Sequence, residues 1–163
     1  MTLTQPNNQI IDPQIIWHQV CQLYQADQVK SQCLRWQDGH NANVNLILIL
    51  TILQQQNYQF TEAQLQSVLN KLKSFSEQTT GLIRKARFNW RTCSDNPEYQ
   101  KLKQALLACE LAFEQQEQRL IIEQFNQALK QNAGRDRYLS PASWYFKHLG
   151  IQAELQNLLD AFG

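Results

Sequence analysis

The sequence predicts an all-α fold, a single domain of about six to eight helices packed around one buried central helix. Glycine and proline number only 5 and 4 in 163 residues and stand between segments of helical periodicity, which favours helices joined by short connections over many strands. The run from Leu46 to Leu53 is apolar at almost every position, so it must be covered on all sides. The flanking segments carry apolar residues at the spacing of amphipathic helices.

Two helices are predicted after a polar lead-in of residues 1–12. Asp12-Pro13 combines a capping residue with a proline at the first helical position, and it predicts a helix from residue 13 to Tyr24. Asp27 is the expected cap of the second helix, which should stop where Asp38-Gly39 breaks the pattern. Their apolar faces comprise Ile16, Val20 and Leu23, then Val29, Cys33 and Trp36.

The central element extends over about residues 43–56. Its alternation of leucine and isoleucine also fits a buried strand. The length of the run, the abundance of leucine, an asparagine at its start and the helical periodicity on both sides favour a buried helix about 20 Å long.

Two more helices are predicted between residues 61 and 93. Thr61 with Gln64 matches a capping box and opens the fourth helix. Ser74 with Glu77 offers the start of a fifth helix, which we expect to end at Cys93. The predicted inward residues are Leu65, Val68, Leu69, Leu72 and Phe75, then Ile83, Ala86, Trp90 and Cys93.

Asn96-Pro97 opens the longest helix, predicted over about residues 97–132. Unbroken, it would span about 50 Å, more than a compact domain of this size needs. We therefore expect its far half, with Ile121 and Phe125, to be covered by the C-terminal helices or by a second copy in a homodimer. Residues 140–162 are predicted to form a helical pair, divided at Gly150, that packs on a main bundle of residues 13–133.

Charge, cysteine content and hydropathy narrow the class of protein. Lys and Arg number 15 and Asp and Glu 14, so no overall charge attracts the chain to nucleic acid or to an anionic membrane. The sequence shows no leader segment and no membrane-spanning run, which predicts a cytoplasmic protein. The four cysteines have no Cys-x-x-Cys spacing and are predicted to be buried thiols, with no metal or cofactor.

Several short segments together resemble a known family. They are Trp17, Tyr24, Cys33-Leu34 with Gln37-Asp38, Val44-Asn45-Leu46, and Glu110-Leu111-Ala112 with Glu114. They resemble the uncharacterised proteobacterial family of about 160 residues called domain of unknown function 2390, over roughly Gln14 to Leu120. In that family's pattern aspartate stands at the position of Asn43 and tryptophan near residues 51–52, so this chain departs at both. The resemblance implies a cytoplasmic helical fold and carries no activity to transfer.

The polar segment before the central helix is the first candidate site, with Asp38, His40, Asn43 and Asn45. Asp38 can orient His40 as a general base, and the helix N-terminus nearby favours an anion. Arg84 and Glu110 complete this candidate binding set if the bundle brings them near. The structural alternative is that Asp-Gly makes a turn and Asn43 caps the helix.

Two charged stripes form the second candidate surface. They are Arg84, Arg87 and Arg91 on the fifth helix and Glu110, Glu114 and Glu117 on the next. If the chain folds back near residues 94–96, Arg84 meets Glu110, whereas Glu114 and Glu117 lie about 10–15 Å beyond it. The charges left over face solvent, another element or a protein partner; they are too few to favour nucleic acid.

The first interpretation is a non-enzymatic protein-binding or adaptor module. Its predicted partner surface consists of Arg84, Arg87, Arg91, Glu114 and Glu117. The alternative is a small-molecule-binding protein or enzyme that uses the polar turn.

Overall fold

The arrangement of the helices confirms the predicted all-α class. A computed structural model describes residues 5–131, 134 and 136–162, and these ranges contain eight α-helices. They are α1 (Pro13–Tyr24), α2 (Asp27–His40), α3 (Val44–Gln55), α4 (Glu62–Gln78), α5 (Thr80–Trp90), α6 (Tyr99–Leu129), α7 (Pro141–His148) and α8 (Leu155–Phe162). Short 3₁₀ helices span Arg91–Cys93 and Gln152–Glu154. In the described part of the chain, no helix is both long and apolar enough to cross a bilayer.

Helix α3 is the buried centre of the bundle, and the strand alternative is wrong. Every residue from Asn45 to Leu53 is buried, because α1, α2, α6 and α7 all pack against this helix. A helix surrounded in this way needs apolar residues on every face, which explains the unbroken run of leucine and isoleucine.

Helix α2 ends later than predicted, and the polar turn is correspondingly shorter. The helix continues through Asp38 and Gly39 to His40, and Asn41 then takes a left-handed conformation with φ of 54°. Asparagine tolerates this conformation and closes helices in place of glycine. The N–H of Ala42 donates to the carbonyl of Trp36 (3.3 Å), so residues 41–43 alone connect α2 to α3.

The boundary between α4 and α5 lies at Thr79, not at Ser74 as predicted. The capping box of Thr61 and Gln64 opens α4 as expected, but α4 then continues to Gln78. Thr79 breaks the helix and donates its hydroxyl to the carbonyl of Phe75 (2.7 Å). A Cβ atom at Gly81 would lie 2.9 Å from the carbonyl oxygen of Ser76, so this close passage between the two helices requires glycine.

The long helix α6 is continuous and divides into two halves with different surroundings. Its 31 residues span about 45 Å. The second half, with Ile121 and Phe125 buried, packs on α1, α3 and α4. The expected cover by the C-terminal helices is therefore wrong, since α7 packs mainly on α3, and α8 on α2 and α7. The predicted end at residue 132 lies outside the described residues.

The first half of α6 forms a hairpin with α5. Among residues 99–113 only Glu110 is buried, and α5 is the main neighbour of this half. We call residues 80–113 the α5–α6 hairpin. No residue from 88 to 107 is buried, so this far end of the hairpin lies away from the core.

Two further connections lie in segments that were expected to be irregular. The backbone of Ile11 exchanges hydrogen bonds with the side-chain amide of Asn126 (2.8 and 2.9 Å), so the polar lead-in is attached to α6. Two short strands, β1 (Phe60–Thr61) and β2 (Tyr138–Leu139), pair antiparallel. Neither feature had a sequence signal, because each depends on a partner far along the chain.

Candidate functional site

A groove of about 870 Å³ lies beside the short turn between α2 and α3. Four of the six candidate binding residues line it, namely Asp38, His40, Asn43 and Arg84. The groove also includes Lys73 of α4 with Tyr145 and His148 of α7. Asn45 and Glu110 do not line the groove. The polar turn therefore has a concave surface, but it is shared with helices that the sequence did not connect to it.

The predicted pairing of Asp38 with His40 is not formed. Both residues lie in the last turn of α2 with exposed side chains. Within the described ranges neither side chain makes a hydrogen bond or an ion pair. The arrangement that would orient His40 as a general base is therefore missing in this structure.

Asn43 has three structural bonds. Its side-chain oxygen accepts the N–H of Leu46 (3.0 Å), which caps α3. Its own N–H donates to the hydroxyl oxygen of Tyr145 (3.0 Å), and its side-chain nitrogen donates to Oε2 of Glu117 (3.3 Å). Burial raises the pKa of Tyr145, and the bond from Asn43 partly offsets this rise. Asn43 thus fills the capping role that was the structural alternative.

Behind Asn43 lies a buried polar cluster around Glu117. The side-chain nitrogen of Asn45 donates to Oε2 of Glu117 (2.9 Å), and Nε2 of Gln118 donates to the side-chain oxygen of Asn45 (2.9 Å). Glu117 is fully buried. The prediction that Glu117 belongs to an exposed partner surface is therefore wrong, because α3 covers this turn of α6.

Arg84 and Arg87 of α5 are paired with carboxylates of α6. Arg84 donates from Nε to Glu110 (3.0 Å) and from a terminal nitrogen to Glu114 (2.8 Å). Arg87 donates to the other oxygen of Glu110 (2.6 Å). Burial raises the pKa of Glu114, and Arg84 only partly counteracts it. Burial lowers the pKa of Arg84, but the bonds to Glu114 and Glu110 outweigh this and leave it raised.

The pairing between α5 and α6 differs from the predicted one. Arg84 does contact Glu110, but the expectation that Glu114 lies out of its reach is wrong. Residues 91–98 form a 3₁₀ helix and a loop, so the helices do not meet directly at residues 94–96. The residue opposite Arg84 consequently shifts by about one and a half turns along α6. Of the three arginines in the stripe only Arg91 is exposed.

One edge of the α5–α6 hairpin carries exposed apolar side chains. Phe88, Leu107 and Leu111 are 64%, 36% and 56% exposed. Arg84 and Glu114 bond across this edge near the bundle. Phe88 lies one turn beyond Arg84, and Leu111 and Leu107 lie one and two turns before Glu114, so all three continue the same edge outward. We call these three residues the hairpin edge.

The sequence reasoning missed the contributions of α4 and α7 to the groove and the apolar character of the hairpin edge. Lys73, Tyr145 and His148 have no local signal, because only packing brings them to the turn. Leu107 and Leu111 are four residues apart, so the sequence alone could have shown that they share one face of a helix. Nowhere in the described part of the chain are three His, Cys, Asp or Glu side chains grouped to hold a metal ion.

Comparison with known protein families gave a match. A family model described as protein of unknown function (DUF2390) matches residues 15–121, about two thirds of the chain. The matched segment includes the α2–α3 turn, the hairpin and Glu117, but not α7. A search of curated proteins and a search of solved structures each found no match.

Proposed function

We propose that the chain, which belongs to the DUF2390 family, is a protein-binding module that holds an amphipathic helix with acidic residues along its border. The observation that carries this proposal is the hairpin edge, where the apolar side chains of Phe88, Leu107 and Leu111 stay exposed to solvent. Exposed apolar groups that form a contiguous patch mark surfaces that bind other proteins. The partner surface therefore centres on apolar residues rather than on the paired charges.

The surroundings of the hairpin edge favour an acidic partner. Arg91 lies over the ring of Phe88 with 5.4 Å between its guanidinium carbon and the ring centroid. Lys103 lies one turn before Leu107 and contacts the ring of Tyr99. The nearest acidic residues, Glu110 and Glu114, are already bonded to Arg84 and Arg87. The charge left at this edge is positive, which disfavours a second copy of the same edge and favours a partner bordered by carboxylates.

A helix is the partner shape that fits this edge. Leu107 and Leu111 stand on adjacent turns of α6, and Phe88 lies beside them, so the exposed apolar strip is narrow and straight. An amphipathic helix with apolar residues three and four positions apart presents a matching stripe. Arg91 and Lys103 at the outer end then meet acidic residues on the border of that helix.

The experiment uses two synthetic amphipathic helices with the same leucine stripe. One carries glutamate along its borders and the other carries lysine, and fluorescence polarisation measures the binding of each. We expect the glutamate peptide to bind at least about tenfold more tightly. Leu111→Asp should weaken that binding by about tenfold or more, whereas Leu82→Asp, an equally exposed leucine turned about 120° from Phe88, should not.

Three results would overturn the proposal. Equal binding of both peptides, or an affinity that Leu111→Asp leaves unchanged, would show that the hairpin edge is not the binding surface. Sedimentation equilibrium provides the second check: a dimer of the wild type that Leu111→Asp dissociates would show that the edge binds another copy of the chain, the homodimer suggested for the long helix.

The groove supports a second candidate, the binding of a small polar molecule. Its size and its lining by Asp38, His40, Asn43 and Arg84 favour this reading. A thermal-shift screen of metabolites tests it: His40→Ala should abolish any shift, while His18→Ala on α1 should leave it intact. A screen without a single shift would count against this candidate.

A further inference from the structure

Three buried oxygen atoms near the base of the hairpin have no hydrogen-bond partner. They are Oε1 of Glu117, Oε1 of Gln118 and Oγ1 of Thr80. Glu117 and Thr80 are fully buried, and Gln118 is only 5% exposed. An unpaired buried polar atom is costly, so each requires an explanation.

Hydrogen bonds connect Glu117 with Gln118 through Asn45, and the register of the helix pairing places Thr80 on the turn of α5 that faces them. Asn45 bonds to both Glu117 and Gln118, which keeps the two side chains side by side. On α5, Arg87 pairs with Glu110 and Arg84 with Glu114. Because the helices run antiparallel, one further turn back along α5 places Thr80 opposite Glu117 and Gln118.

The charge of the surrounding cluster is unbalanced. Glu110, Glu114 and Glu117 supply three carboxylates, and Arg84 and Arg87 supply two guanidinium groups. The two arginines are bonded to Glu110 and Glu114, and Arg84 also lies close enough to interact with the charge of Glu117, so the cluster as a whole keeps one surplus negative charge. Among the described residues Glu117 accepts hydrogen bonds only from the neutral amides of Asn43 and Asn45. A buried surplus charge costs several kcal/mol in general.

We propose that Glu117, Gln118 and Thr80 bind a monovalent alkali cation, Na⁺ or K⁺. Carboxylate, amide and hydroxyl oxygens are ligands of hard cations. One positive charge balances the surplus carboxylate, whereas a divalent ion such as Ca²⁺ or Mg²⁺ would leave an excess of positive charge. The groove gives the ion a path, since its wall residues Asn43, Gly81 and Arg84 adjoin the three ligands.

The experiment measures thermal unfolding of the wild-type chain in chlorides of equal ionic strength. The salts are those of Na⁺, K⁺ and tetramethylammonium, which is too large for a buried site. We expect the unfolding midpoint to be higher in Na⁺ or K⁺ by about 3–6 °C when the ion is at about ten times its Kd, and to saturate. Equal midpoints in all three salts would overturn the proposal and assign the three oxygens to buried water.

Two variants separate ion binding from general stability. Glu117→Gln keeps the shape and removes the charge, so the difference between the salts should vanish. Thr80→Val removes one ligand and should reduce the difference, even if the first variant fails to fold. Thr51→Val is the matched control, because the hydroxyl of this equally buried threonine is bonded to the carbonyl of Ile47. A salt difference that survives Glu117→Gln, or that Thr51→Val reduces as much as Thr80→Val, would refute the site.

Discussion

The replacement Asn43→Asp gives a sharp test of the polar cluster behind the groove. Aspartate caps helices as well as asparagine does, so the bond to the N–H of Leu46 should persist. The variant loses the amide donor to Glu117 and places a second carboxylate oxygen where the nitrogen now lies, 3.3 Å from Oε2 of Glu117. The perturbation is therefore purely electrostatic.

Two physical limits set the size of the effect. Two unit charges 3.3 Å apart repel by about 5 kcal/mol at an effective dielectric constant of about 20. The pair escapes this repulsion by holding one proton, which costs about 4 kcal/mol at pH 7 for a carboxyl of ordinary pKa but only about 1.5 kcal/mol at pH 5. Because Asn43 is half-buried, solvent reduces both values. We therefore expect Asn43→Asp to lower the free energy of unfolding by about 2–3 kcal/mol near pH 7.5 and by about 1 kcal/mol near pH 5.

The sign of the pH dependence follows from proton binding. The folded variant holds a proton that the unfolded chain releases above about pH 4, so its stability falls as pH rises. Urea unfolding followed by far-UV circular dichroism at three pH values measures this directly. Asn43→Ser keeps the cap without the charge and should lose little at any pH. A loss for Asn43→Asp that is the same at pH 5 and pH 7.5, or no larger than for Asn43→Ser, would refute the proximity to Glu117.

Three further predictions concern other parts of the fold. Arg84→Met should lower the free energy of unfolding in urea by about 1.5–3 kcal/mol, because Glu110 and Glu114 then stay partly buried without this arginine. Arg35→Met, at an exposed ion pair, should lower it by under about 1 kcal/mol. Equal losses for the two variants would contradict the ion-pair network. Cys33 should react with Ellman's reagent at pH 8 only when the protein unfolds, because burial raises the pKa of this thiol to about 12 and excludes the reagent. Rapid labelling of the folded protein, in a variant that retains only this cysteine, would contradict the burial of Cys33. Phe146→Ala should lower stability by about 3–5 kcal/mol, because this fully buried ring meets Trp36 edge to face; a loss under about 1 kcal/mol would mean that α7 does not hold α3.

Local signals in the sequence were sufficient for the helices themselves. Asp12-Pro13 and the Thr61–Gln64 box mark helix starts that the structure confirms, because the free N–H groups of a first turn must be satisfied by nearby residues. The continuous run from Leu46 to Leu53 determined that one helix lies at the centre. The predictions were wrong at helix ends where either of two nearby residues could end the helix. Helix α2, for example, continues past Gly39 and is closed by Asn41.

The pairing of helices was decided by the tertiary structure alone. The loop of residues 91–98 shifts α5 along α6, and this shift puts Arg84 against Glu114 and buries Glu117 beneath α3. Periodicity shows which face of a helix is apolar, but it does not show which turn of a neighbour that face meets. Tyr145 reaches Asn43 from 102 positions away for the same reason: packing of the whole core, not any local pattern, sets the distance between them.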